Sequence, residues 1–270
     1  MGNKKIFRCG SSCSAIERFD REVIDMYAEA GIDAIEVALP FKKYFDHDWS
    51  ELGKYARARG VELWSVHLPF GGENNMFNIA DRAFSRSTME ADAELLKRAA
   101  DAGMKAAVIH PNTGDIPEQN REDQMKTSIE SLSGLVSIGS RYGVKIAVEI
   151  LPPDNLGSRA GEMKRITEAV PGLSICMDVN HIIGYSVREF AETFADKIVT
   201  VHISDNDLRS ERHWMPGRGK LDWADIVSAL DDIGYRGPFM YELGGKEFCE
   251  AGLSGIRKNY DKFIRKFIDE

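Results

Sequence analysis

Short, nearly continuous apolar runs alternate with longer amphipathic segments along the whole chain, and this alternation limits the possible folds more than any other feature. Apolar runs of this kind read as strands of a parallel sheet, and the segments between them as the helices that parallel connections require. Strands are expected at Lys5–Cys9, Ala34–Ala38, Glu62–His67, Ala106–His110, Lys145–Ile150, Leu173–Asp178, Ile198–Ile203 and Pro238–Glu242. The apolar periodicity predicts helices over Ala15–Ala30, Trp49–Arg59, Ile79–Ala102, Arg121–Tyr142, Ala160–Ala169, Ser186–Ala195, Trp223–Ile233 and Lys246–Ile268. Glycine follows several of these helices where the next strand begins, as in AADAGMKAAVI and SRYGVKIAVEI, the position that ends a helix in left-handed geometry.

Eight such units in 270 residues suit a closed (β/α)8 barrel, whose usual size is roughly 250 residues. An open, doubly wound sheet would want a glycine-rich phosphate turn after an early strand. No GxGxxG or GxxxxGK[ST] occurs, and no linker or low-complexity segment divides the chain. The expectation is one α/β domain over residues 1–270, a single (β/α)8 TIM barrel.

The charge balance narrows the partners. With 35 basic and 43 acidic residues the net charge is −8, the wrong sign for a protein that gains affinity by neutralising phosphates. Nucleic acid is not expected as a partner. The N-terminus lacks the apolar core of a signal peptide and no run of about 18 apolar residues occurs, so no membrane association is expected. Cys9, Cys13, Cys176 and Cys249 show no paired metal spacing, and Cys9 and Cys176 lie in apolar strands. A reducing, cytoplasmic location fits, and assembly into a homo-oligomer is left open.

Active sites of such barrels lie at the C-terminal ends of the strands. Five of the six histidines fall there, all but His47. His67 and His110 end strands three and four, and Glu149 lies near the end of strand five. Asp178 ends strand six, with His181 three residues on; His202 is on strand seven, Glu211 and His213 lie in the loop after it, and Glu242 ends strand eight. Glu149, Asp178, His202 and Glu242 share an inward parity with Ala147, Cys176, Thr200 and Met240, two residues earlier, so they should face one another across the mouth. Three carboxylates gathered in a partly dehydrated pocket repel unless a cation sits between them. A divalent metal resolves the conflict. Three oxygen ligands and one imidazole suit Mn2+, the leading choice, as well as Mg2+ or Co2+, and Zn2+ also fits.

The motifs DVNH after strand six, HISDND at strand seven and ERHWMPGRGKLDW beyond it resemble the xylose-isomerase-like barrel superfamily, over almost the whole chain. That superfamily holds sugar and sugar-phosphate isomerases, ketose 3-epimerases and zinc-dependent abasic-site endonucleases. In its epimerase branch, the resemblance implies that Glu149, Asp178, His202 and Glu242 bind one divalent metal and that Glu149 and Glu242 exchange protons with substrate. In its endonuclease branch the ring is extended to three zinc ions, and His67, His110, His181 and His213 occupy the added positions. There the aspartate of the DxH pair is replaced by Glu211.

The expected activity is therefore metal-dependent isomerisation or epimerisation of a sugar, sugar phosphate or related polyol, by proton transfer through an enediolate. The alternatives are an abasic-site-endonuclease-like phosphodiesterase, which would need basic loops that PFGGENNMFN, PNTGDIPEQN and DNDLRSERHW do not supply, and a dehydratase or lyase. Arg209 and Arg212 are candidate contacts to a substrate hydroxyl or phosphate. Trp64, Trp214, Phe41 and Phe70 lie near strand ends, where aromatic rings cover the C–H face of sugars; Trp214 and Phe70 are the leading choices. Ile79, Ala83, Ala93, Leu96 and Ala100 are expected to form the buried stripe of a helix, and the glycines of PGRG to shape a turn ahead of an Asp222 N-cap.

Overall fold

The computed structural model, which describes residues 7–16 and 18–269, closes eight parallel strands into one barrel, paired in chain order with β8 returning to β1. The strands are β1 (Arg8–Ser12), β2 (Ala34–Val37), β3 (Glu62–His67), β4 (Ala106–Ile109), β5 (Lys145–Glu149), β6 (Ser174–Asp178), β7 (Ile198–Ile203) and β8 (Pro238–Tyr241). Helices α1 (Arg21–Glu29), α2 (Trp49–Ala58), α3 (Ser85–Ala102), α4 (Arg121–Tyr142), α5 (Ala160–Ala169), α6 (Val187–Thr193), α7 (Trp223–Asp232) and α8 (Gly245–Asn259) alternate with them. The fold is a single (β/α)8 TIM barrel. Among the described residues, no helix is long and apolar enough to cross a membrane.

Local side chains set several boundaries differently from the periodicity. Lys5 and Ile6 of the first expected strand lie outside the described residues, and β1 continues through the polar Gly10, Ser11 and Ser12, which pair with Ala34, Ile35 and Glu36. Gly10 relieves a tight spot there, since a Cβ would come 3.1 Å from both the Met240 side chain and Pro238 Cβ. Helix α1 starts late, at Arg21, where Asp20 accepts the Val23 N–H as N-cap. Helix α3 starts at Ser85 rather than Ile79, because Asn78 and Asp81 take the N–H groups of Ala80 and Ala83 into Asx turns that compete with helix. The expected stripe is corrected with it: Ala83 is exposed, and the buried face is Thr88, Asp92, Leu95, Leu96, Ala99 and Ala102. The expected last helix is divided into α8, a π-helical turn at Tyr260–Ile264 and α9 (Arg265–Asp269). The wider turn leaves both Tyr260 and Ile264 buried.

The main core lies between the strands and the helices. Inside the barrel, Val108, Ala147 and Cys176 pack together below the mouth. Trp64 is also part of this interior rather than of the rim: its indole N–H donates to Thr200 Oγ1 across the barrel at 3.1 Å. Two register shifts help position the site. The β2–β3 pairing skips Trp64 and sets Glu36 beside Ser65, and the β6–β7 pairing skips Val199 and sets Asp178 beside His202.

Candidate metal centre

The strands bring Glu149, Asp178, His202 and Glu242 together, with one ligand atom from each within 4.8 Å of the others. The first three are buried and Glu242 is half-buried. Asp178 and His202 are register partners. Asp178 Oδ2 and His202 Nδ1 are buried and make no hydrogen bond of good geometry, although His181 Nδ1 lies 3.2 Å from the first and Glu242 Oε2 3.2 Å from the second. Glu149 Oε1 stands 3.4 Å from His202 Nδ1.

Two further groups flank this ring. His67 Nε2 and His110 Nε2 approach the same Glu149 oxygen, Oε2, at 3.1 and 3.2 Å. His181 Nε2 lies 3.0 Å and His213 Nε2 3.7 Å from Glu211 Oε2. Glu149 therefore belongs to both the ring and the His67–His110 group. The second nitrogens are held by backbone. His67 Nδ1 donates to the Leu68 carbonyl, His181 Nδ1 to that of Ile150 and His213 Nδ1 to that of Glu242, which turns each Nε2 toward the carboxylates.

Burial and mutual charge set the ionisation of these groups. Burial opposes charge on His67 and His213, but Glu149 beside the first and Glu211 beside the second outweigh it and push both up to about 9. Burial likewise opposes charge on His181 and His202, yet the surrounding carboxylates hold both well above the usual imidazole range. His110 is shifted down, with burial as the largest cause. Burial raises Asp178, opposed by His181, to about 6. Glu149 and Glu242 stay well below the ordinary carboxylate range despite burial, chiefly through His202. With no metal bound, protons on the imidazoles thus offset the carboxylate charge.

Two polar residues fix the loops carrying these groups. Asn180 Oδ1 accepts the backbone N–H groups of Arg212 and His213, tying the segment after β6 to the loop after β7. Buried Asp205 accepts from the N–H groups of Asn206, Gly217 and Leu221 and from the Trp223 indole, and its backbone pairs with Trp214 in both directions. Gly219 is required against it, because a Cβ there would lie 2.3 Å from Asp205 Oδ1. The glycines thus shape the loop, and Asp222 caps α7 by accepting the Asp225 N–H.

The remaining candidates separate. Phe70 is 53% exposed and stacks on His110 at 4.0 Å, covering the His67–His110 side of the ring. It also lines, with His67, Phe41, Met76 and Phe77, a cavity of about 530 Å³ beside the mouth. Trp214 carries the Arg212 guanidinium 5.7 Å over its ring, and Arg212 is paired with Asp207. Arg209 is exposed in the same loop, and its N–H donates to Asp207. Sequence reasoning missed Glu36, a buried residue of β2 whose carboxylate accepts from His202 Nε2 and Ser65 Oγ. A lone acid in the apolar run AIEV, on the parity of Ala34, was the available signal.

The donor set fits a divalent cation. Three carboxylates and one imidazole, Asp178 and His202 fully buried among them, offer ligand atoms within 4.8 Å of one another, and hard oxygen donors with one imidazole suit Mn2+, Mg2+ or Co2+, while Zn2+ is also compatible.

A family model for the xylose isomerase-like TIM barrel matches residues 24–266, and the chain belongs to that family. It is 25% identical to an inosose isomerase of Bacillus velezensis, over 96% of this chain and 97% of the relative. It is 26% identical to a D-psicose 3-epimerase of Ruminiclostridium cellulolyticum, over 81% of this chain and 76% of the relative. The crystal structure of a D-tagatose 3-epimerase-like protein superposes with a TM-score of 0.81 at 23% identity, over 96% of this chain and 99% of the other.

Proposed function

We propose that this chain is a divalent-metal-dependent isomerase or epimerase that moves a proton on a carbon next to a carbonyl, in a sugar, sugar phosphate or related polyol. The observation that carries the reading is the gathering of buried Asp178 and His202 with Glu149 and Glu242, one ligand atom from each within 4.8 Å of the others. The sugar isomerase and epimerases among the relatives support it.

A divalent cation held by these four residues would polarise a carbonyl and its neighbouring hydroxyl and so acidify the C–H bond between them. Glu149 and Glu242, supplied from β5 and β8, exchange the proton on the two faces of the planar enediolate. Of the two, Glu242 is 18% exposed and Glu149 1%, and Glu149 also carries two imidazoles on Oε2. Glu242 is therefore the more accessible base and Glu149 the more deeply committed ligand. His67, His110, His181, His213 and Glu211 line the ring as further metal-ligating or substrate-binding groups. Phe70 and Trp214 cover the C–H face of the substrate, and Arg209 reaches a hydroxyl or phosphate. The test is incorporation of solvent deuterium next to the carbonyl in a panel of ketoses, aldoses and their phosphates.

One observation favours a second reading. The groups His67–His110–Glu149 and His181–Glu211–His213 adjoin the ring as further possible metal sites, an arrangement suited to a metal-dependent phosphodiesterase. The net charge of −8 opposes it. A dehydratase or lyase would begin with the same proton removal and differ by expelling a hydroxyl.

A further inference from the structure

We propose that Glu36 is a positioning residue for His202, holding Nε2–H so that Nδ1 turns its lone pair toward Glu149, Asp178 and Glu242. This rests on the reading of that ring as a metal centre. Glu36 is fully buried inside the barrel, on β2, and reaches His202 on β7. Its Oε1 and Oε2 lie 3.0 and 3.1 Å from His202 Nε2. Ser65, its register partner on β3, donates Oγ–H to Oε2 at 2.8 Å. A carboxylate with its lone pairs on Nε2 makes that nitrogen the donor, which leaves Nδ1 as the atom facing the ring.

The contrast with the other rim histidines carries the inference. His67, His181 and His213 fix their second nitrogen with a backbone carbonyl. His181 Nε2 also meets a carboxylate outside the ring, Glu211, but that group is 49% exposed, whereas the Glu36 that holds His202 from behind is fully buried. A carboxylate is the stronger acceptor, so it orients the imidazole and raises the donor strength of the opposite nitrogen. Burying an acid inside the barrel is expensive unless its oxygens are hydrogen-bonded, and tying β2 to β7 alone would not require one.

A purely structural brace and a positioning residue differ in what they change. The experiment compares the full-length wild type with Glu36→Gln and Ser65→Ala, reading Mn2+ affinity by chelator competition, melting temperature, and the His202 Nε2–H proton resonance of Zn2+-loaded protein. The Nε2–H signal is assigned by its loss in His202→Asn. Folded Glu36→Gln is expected to bind Mn2+ roughly 10–100-fold more weakly, with the Nε2–H signal shifted upfield or lost to exchange. Ser65→Ala keeps the carboxylate but frees one oxygen, and is expected to weaken binding by a smaller factor and to move the same signal. Tight Mn2+ binding by wild type and Glu36→Gln alike, with the Nε2–H signal unmoved, overturns the proposal while leaving the metal centre intact. If Glu36→Gln fails to fold, unchanged affinity and an unmoved signal in Ser65→Ala overturn it instead. A wild type that binds no divalent cation removes the metal-centre reading and the proposal with it.

Discussion

Asp178 and His202 stand side by side on β6 and β7, and each presents to the barrel mouth a buried atom, Oδ2 and Nδ1, that makes no hydrogen bond of good geometry and meets only other ionisable groups. Buried polar atoms are rarely left unpaired, because each costs about 1–3 kcal/mol. A ligand that satisfies both at once is the simplest resolution, and the neighbouring Glu149 and Glu242 give it a positive charge.

Protein purified without chelator is accordingly expected to hold about one tightly bound divalent ion per chain. Elemental analysis and thermal melting check this. Chelation should lower the melting temperature and Mn2+ should restore it, the unfolding free energy rising by about 2.7 kcal/mol when free metal is 100-fold above its dissociation constant. No Mn, Mg, Co, Fe or Zn, and no stabilisation by any of them, would contradict the metal centre.

The metal-free protein should lose stability with rising pH. The folded pKa values of His67 and His213 are raised to about 9, so their contribution is fully present below the unfolded value near 6.5 and disappears as pH passes through 9. Melting of chelator-treated protein from pH 6 to 10 should show a fall concentrated between about 6.5 and 9.5. Metal-loaded protein should show a smaller fall, because a cation bound beside Glu149 and Glu242 offsets the negative charge that holds protons on these imidazoles. Flat or rising stability over that range in the chelated protein would contradict the charge state assigned to the two imidazoles.

The barrel could be read from the sequence because each strand is a continuous apolar run and each helix has its own period, and those signals depend on short spans of chain. The ring residues Glu149, Asp178, His202 and Glu242 were legible for a related reason: a polar residue at the end of an apolar strand is conspicuous, and parity fixes its direction. Glu36 was not, since its role depends on His202 at the opposite side of the barrel and on a register shift at Trp64 that no residue type announces. Nor was the late start of α3, where Asn78 and Asp81 favour turns over helix. Trp64 looked like a rim aromatic and is an interior one, because its partner Thr200 lies two residues before His202 and not at the mouth.

Asp92 on α3 is fully buried, neither carboxylate oxygen has a hydrogen-bond partner, and burial raises its pKa well above the ordinary value. An acid raised in this way makes the folded state less stable as pH climbs above about 3.9, where the unfolded chain gives up its proton. Asp92→Leu should therefore stabilise the protein by roughly 1–3 kcal/mol near neutral pH, with a smaller gain at pH 4. Denaturant titration of both proteins at the two pH values tests it; a destabilised variant, or a gain that shrinks as pH rises, would contradict the reading.

The endonuclease-like reading is tested with an abasic-site duplex at low salt, with added zinc or manganese. A chain of net charge −8 is expected to give no incision above a His202→Ala control. Metal-dependent cleavage at the lesion, lost in the control, would instead make His67, His110, His181 and His213 ligands of a nuclease cluster.

The central claim is proton transfer next to a carbonyl, by glutamates that share a metal. The most direct measurement is solvent-deuterium incorporation at that carbon when metal-loaded enzyme meets the panel of ketoses, aldoses and their phosphates in heavy water. At least one substrate should exchange. Glu242→Gln should slow the exchange by roughly 10²–10⁴-fold and weaken metal binding, and Glu149→Gln should abolish the exchange with the larger loss of metal affinity. Exchange that persists unchanged in both variants, or a wild type that exchanges no member of the panel, would contradict the account.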